Sequence, residues 1–203
     1  MKFIIACLVF FFLLVSGNIT AQKIEITPFA GYMFAGKLNT VDGELNIKNG
    51  SNYGLIADIR VDNDLMVELM YNRLDTELEI KEQSFDSIKI LSEMTVEYYQ
   101  AGAHYETEQG KFRPFGAFTI GATLFNPAGE NINDEWRFSF TAGGGIKYYF
   151  VEHIGVRLQW RFMIPVYFSG GALFCGNQGC GAAISGGAVL LQYDLTAGVI
   201  ISL

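Results

Sequence analysis

Beyond residue 22, apolar and polar positions alternate with a period of two, and almost nowhere with the 3.6-residue period of a helix. The alternation predicts eight strands, at about 23–35, 52–62, 64–76, 95–106, 112–125, 136–150, 154–165 and 190–203. In the sixth, Trp136, Phe138, Phe140, Ala142, Gly144, Ile146, Tyr148 and Phe150 share one face. Arg137, Ser139, Thr141, Gly143, Gly145 and Lys147 share the other. The seventh sets Ile154, Val156, Leu158, Trp160, Phe162 and Ile164 against Arg157, Gln159 and Arg161. The second sets Tyr53, Leu55, Ala57, Ile59 and Val61 against Asp58 and Arg60, and the third sets Leu65, Val67, Leu69 and Tyr71 against Glu68 and Asn72.

Alternation alone does not say which face is wet, because a soluble ligand-carrying barrel has the same period with its apolar face inward. Side-chain volume separates the two. An eight-stranded barrel is only just wide enough for side chains to fill it, and the rings of Tyr53, Tyr71, Trp136, Phe138, Tyr148, Phe150, Trp160 and Phe162 would overfill that space. They are expected to point outward as an aromatic girdle. So large an apolar exterior aggregates in water, so the surroundings are expected to be lipid. Phe138 and Tyr148 are ten residues apart, a rise of roughly 23 Å on a tilted strand, close to the ~25 Å apolar band of outer-membrane barrels.

The opposite face is then the lumen. It collects Asp58, Arg60, Glu68, Arg113, Lys147, Arg157, Arg161 and Asp194. Mixed signs allow the pairing that buried charge requires. Eight strands leave little free cross-section, so a satisfied polar core is expected in preference to a gated polar path. Connections near 62–64, 107–111 and 151–154 read as tight turns, and those near 36–51, 77–94, 126–135 and 166–189 as long loops. That strict alternation is the pattern of periplasmic turns and outward loops, and it puts both ends of the barrel on the periplasmic side.

Composition adds a compartment. Thirteen apolar residues, Phe3–Val15, follow Met1-Lys2 and lead to a small residue at Ala21, a secretory signal peptide over 1–21 too short to span a bilayer as a helix. Residues 22–203 form one barrel domain, with a charge of 13 − 21 = −8 once Lys2 is removed. That sign disfavours nucleic acid. In the longest loop, Cys175 and Cys180 bracket the sequence GNQG and are candidates for a disulfide in an exported chain. Two cysteines are too few for a metal centre, and no cofactor is implied. The glycines 143–145 lack the helix start and lysine of a phosphate cradle, and pack instead in a curved wall. His104 on the inner face and His153 on a turn have no converging nucleophile, so no catalytic residue is expected.

Taken in order, the segments PFAGYMF, NYGLIADIRVDNDLMVELMYN, FRPFGAFTIGATLF, AGGGIKYYFVEHIGVRLQWRF and QYDLTAGVIISL resemble the small outer-membrane β-barrels of the OmpX and OmpA-barrel type, a porin-family barrel domain, particularly forms from Bacteroidota. The resemblance covers the whole chain after the signal peptide. It implies an all-β, antiparallel up-and-down barrel, outer-membrane lipid around it, and the barrel-insertion machinery as a partner in biogenesis. Many relatives end in an aromatic residue where this chain has Leu203, so recognition by that machinery is expected to be weaker or to use Tyr193. No peptidoglycan-binding domain is expected after the barrel. The expected role is non-enzymatic: a cell-envelope barrel whose exposed loops serve envelope integrity, adhesion or a surface ligand or host partner. The alternatives are a narrow conduit or carrier of small apolar ligands, and a rim-located enzyme.

Overall fold

The computed structural model describes residues 23–34, 37–40, 43–81, 88–107, 110–128, 134–166, 171–176, 179–184 and 191–203. The expected signal peptide lies outside them. The strands are β1 (Ile24–Phe34), β2 (Lys37–Thr40), β3 (Gly43–Ile47), β4 (Gly50–Arg60), β5 (Leu65–Lys81), β6 (Ile88–Glu106), β7 (Phe112–Pro127), β8 (Glu135–Val151), β9 (Ile154–Pro165), β10 (Gly171–Gly176), β11 (Gly179–Ile184) and β12 (Gln192–Ser202).

Eight of them form the wall. The order β6-β7-β8-β9-β12-β1-β4-β5 returns to β6 through the β5–β6 pairing, so a closed antiparallel barrel leaves no sheet edge at membrane depth. Among the described residues no helix is long and apolar enough to cross a membrane; the crossing elements are strands. The tight connections fall after β4, β6 and β8, and in the second of them Gly110 takes a left-handed φ of 65°, open to glycine at no steric cost.

Alternation is carried into space strand by strand. Burial along β9 reads exposed, buried, exposed, buried without a break until Ile164. Trp160 is 51% exposed and Phe138 45%, whereas Arg157 is 2% exposed and Lys147 fully buried. Rings therefore face out and cations face in, as the volume argument requires.

The structure changes three expectations about the loops and one about the girdle. The segment 77–94 was expected to be a loop, yet β5 and β6 continue through much of it, pairing Glu77 with Glu93 and Lys81 with Ile88. Residues 36–51 and 166–189 also contain hairpins, β2–β3, which extends along β5, and β10–β11. Pairing satisfies backbone groups that would otherwise need water, so the wall rises beyond the apolar band. Trp160 and Phe162 pair with Gly144 and Ala142, midway between Phe138 and Tyr148. They cover the small residues at mid-wall and belong to neither ring of the girdle.

The glycine run in β8 has a packing role. Gly145 lies opposite Phe115 of β7, and a Cβ built there would stand 2.2 Å from the Leu158 carbonyl oxygen and 2.8 Å from Cζ of the Phe115 ring. Its absence lets the buried Phe115 lie across the inner wall beneath Arg157, whose guanidinium carbon is 4.4 Å from the ring centre. Gly145→Ala is expected to lower the unfolding free energy by about 1–3 kcal/mol, the usual cost of overpacking, measured by urea titration in lipid vesicles.

Candidate functional site

Titratable side chains from many strands converge in the interior, and parity delivers them there. Glu25 of β1, Asp58 of β4, Glu68 of β5, His104 and Glu106 of β6, Lys147 of β8, Arg157 and Arg161 of β9 and Asp194 of β12 are all buried. Arg60 and Arg113 stand at the rim of the tight connections with 15% of their side chains exposed. Five carboxylates thus share the interior with five permanent cations and His104.

Their pairing is specific. Arg161 donates both terminal nitrogens to Glu68, at 2.7 and 2.9 Å, the bidentate fork that binds a carboxylate most strongly. Arg157 bridges two acids, donating to Asp58 Oδ2 at 2.8 Å and Glu68 Oε2 at 2.6 Å. Lys147 Nζ reaches Glu25 at 2.7 Å, Glu106 at 3.0 Å and Asp58 at 3.4 Å. Arg60 pairs with Glu106, which also accepts from Arg113 at 3.2 Å. The imidazole of His104 lies 3.3 Å from both Asp58 and Glu106. Asp194 is held apart from this cluster, accepting from Asn52 at 3.0 Å and Asn72 at 3.1 Å.

The eight charged residues expected in the lumen are therefore all on the inner face. Sequence reasoning missed Glu25, Glu106 and Tyr149, whose hydroxyl donates to Glu25 at 2.8 Å. Extending the parity rule to the first strand, where Glu25, Thr27, Phe29 and Met33 alternate inward, would have found Glu25. It also missed an apolar plug. Met33, Ile56, Met70, Leu74, Met94, Val96, Phe125 and Met163 form a buried cluster drawn largely from the outer ends of their strands, so the ion pairs are capped by hydrocarbon.

Ligand atoms of Asp58, Glu68 and His104 lie within 4.8 Å of one another, a spacing that could hold a metal ion. The surrounding charge argues otherwise. Both carboxylates already receive charged hydrogen bonds from Arg157, and Glu68 two more from Arg161. A divalent ion would have to displace guanidinium groups that have nowhere else to go.

The expected girdle residues Tyr53, Trp136, Phe138, Tyr148 and Phe150 are exposed on the outer face. Tyr71 shares that face, its ring centre 5.2 Å from that of Tyr99, which is 5.8 Å from Trp136. In the β10–β11 hairpin the register sets Cys175 directly opposite Cys180.

A closed barrel with rings and aliphatic side chains outside and neutralised charge inside has exchanged the two faces of a soluble protein, and defines an integral β-barrel of the bacterial outer membrane. Comparison with known proteins gives the family. Residues 10–173 match the family described as outer membrane protein beta-barrel domain, and the chain belongs to it. Among solved structures it is similar to Neisserial surface protein A (15% identity, 88% of this chain and 96% of that chain, TM-score 0.56). It is also similar to the N-terminal β-barrel domain of Pseudomonas aeruginosa OprF (13% identity, 89% and 97%, TM-score 0.52). The outer membrane protein AlkL is a third (13% identity, 90% of each, TM-score 0.54). At these identities the likeness shows the fold alone. No curated protein matches.

Proposed function

We propose that this protein is a non-enzymatic, closed barrel whose work is done by its outward loops, with the wall serving as a rigid mount for envelope integrity, adhesion or partner binding. The observation that carries this reading is the filled interior: paired charges below, a methionine-rich plug above. Among the described residues this packing leaves the lumen filled, which favours the sealed barrel over the conduit reading. The buried His104 lies between Asp58 and Glu106 inside the lumen and not at the rim of the long loops, so it lends no support to the rim enzyme. Variety and length gather in the outward loops, where binding residues on rigid scaffolds usually reside.

Planar-bilayer recording tests the sealed lumen, and the refolded chain is expected to give no steady single-channel conductance; discrete open levels would overturn the reading. Removing Gly170–Gly187 is expected to leave heat-modifiable gel migration intact while abolishing binding of whole cells to host surfaces. Binding that survives the deletion would place the contact elsewhere.

The cysteine pair belongs to the same reading. Cys175 and Cys180 stand directly opposite each other on antiparallel strands, a cross-strand placement within the Cα reach of a disulfide. Closing so short a loop stabilises by about 2 kcal/mol on the chain-entropy model. Both thiols are expected to resist maleimide on intact cells until a reductant is added, and labelling without reductant would exclude the bond.

A further inference from the structure

The periplasmic mouth carries a feature that the loop-display reading does not use. A groove of about 840 Å³ runs across it, lined by Lys23, Lys111, Arg113 and His153 together with the apolar side chains of Phe150, Val151 and Leu203. Its volume lies in the range of ordinary ligand sites. In a chain of net charge −7, Lys23 and Lys111 bring positive charge to one groove beside Arg113, whose charge is shared with Glu106; Glu152 is the one acidic side chain that lines it.

The floor is built. Tyr149 is buried with its hydroxyl tied to Glu25, and the Arg113 guanidinium carbon and Lys23 Nζ stand 4.7 and 5.4 Å from its ring centre. Arg113 is oriented by the Gly110 carbonyl at 3.3 Å and by Glu106 at 3.2 Å. The backbone of Tyr149 donates to the Lys111 carbonyl at 2.9 Å, which fixes the base of that lysine beside the ring. Among the described residues no carboxylate pairs with Lys23 or Lys111. Phe150, Val151 and Leu203 are 54%, 58% and 74% exposed and lie where the wall leaves the apolar band.

We infer that this groove holds the anionic headgroup of a phospholipid from the inner leaflet, its phosphate against Lys23, Lys111 and Arg113 and its glycerol and first acyl carbons against Phe150, Val151 and Leu203. Charge complementarity and position select the occupant. Basic pockets at a membrane surface bind anionic headgroups, and only a lipid presents hydrocarbon and phosphate to this groove at the depth where its walls change from apolar to cationic.

The test uses the full chain in nanodiscs of phosphatidylcholine with one tenth phosphatidylglycerol, followed by native mass spectrometry of the lipid retained on release. Phosphatidylglycerol is expected to be enriched over phosphatidylcholine. Lys23→Gln with Lys111→Gln is expected to reduce that enrichment by roughly fivefold for each cation removed, while Lys48→Gln at the opposite end leaves it unchanged and Lys111→Arg restores it. Heat-modifiable migration verifies that each variant is folded. Equal retention of the two lipids, or enrichment unaffected by the double substitution, would overturn the proposal. Displacement of the lipid by millimolar inorganic phosphate would also overturn it, by showing a site for the free anion. So would binding of soluble peptidoglycan fragments that depends on Lys23 and Lys111 when lipid retention does not.

Discussion

Glu68→Ala should lower the unfolding free energy of the refolded protein by about 3–5 kcal/mol, the cost of breaking a buried ion pair and leaving its cations unpaired. Glu68 is the partner of two guanidinium groups at once, accepting at 2.6–2.9 Å from Arg157 and Arg161, and its side chain is wholly excluded from water. Arg157 keeps Asp58 in the variant, whereas Arg161 loses both of its charged hydrogen bonds. Adding Arg161→Met to Glu68→Ala should recover much of the loss, because removing both charges also removes the desolvation penalty. Urea titration in vesicles, read by intrinsic fluorescence and by gel migration, measures all of these. The size of the effect decides between two interiors. In a water-filled lumen the same pair would contribute about 0–1 kcal/mol, so a variant as stable as the parent would mean that the barrel is open and wet.

The second large effect is on the outer face. Leu195→Arg is expected to cost about 2–4 kcal/mol, the penalty for an arginine at the midplane of a barrel's lipid surface, falling to about 0–1 near either interface. Leu195 is 53% exposed and pairs with Trp160 of β9 and Tyr32 of β1, and Trp160 in turn faces Gly144 at mid-wall. The same substitution at Leu203, beyond the apolar band, should be nearly neutral. A soluble barrel would show the opposite, since an exposed leucine in water is replaced by arginine at almost no cost. Equal and small effects at Leu195 and Leu203 would remove the lipid from the account.

These two experiments test opposite faces of one wall, and the ease with which each face was read differs. Arg157 and Arg161 could be placed inside without coordinates because a strand has a period of two and the rings of Trp160 and Phe162 cannot share a narrow lumen with them. The same reasoning located Asp58, Glu68, Lys147 and Asp194. It could not say that Lys147 would meet Glu25, 122 residues away, or that His104 would stand between Asp58 and Glu106. Those contacts depend on closure of the barrel through β5 and β6 and on the stagger between strands, and neither leaves a trace in local alternation.

The methionine plug was hidden for a different reason. Met33, Met70, Met94 and Met163 are flexible and apolar enough to suit either face, so their parity carried no signal that could be separated from that of lipid-facing neighbours. The hairpins β2–β3 and β10–β11 and the extended ends of β5 and β6 were read as loops for different reasons: GALFCG and GCGAAI in β10 and β11 hold no polar residue to alternate with, and the alternation of ELEIK at the end of β5 is set among charges dense enough to suit a solvated segment.

The order of residues by itself determined the strand type, the number of wall strands, the face each side chain takes and the lipid surroundings, because all four follow from a two-residue period and from side-chain volume. Only the tertiary structure decided which charges neutralise one another, where hydrocarbon seals the lumen, and that Lys23, Lys111 and Arg113 share one groove at the periplasmic mouth. Those are relations between strands distant in sequence, and they come into being when the sheet closes and its register is set.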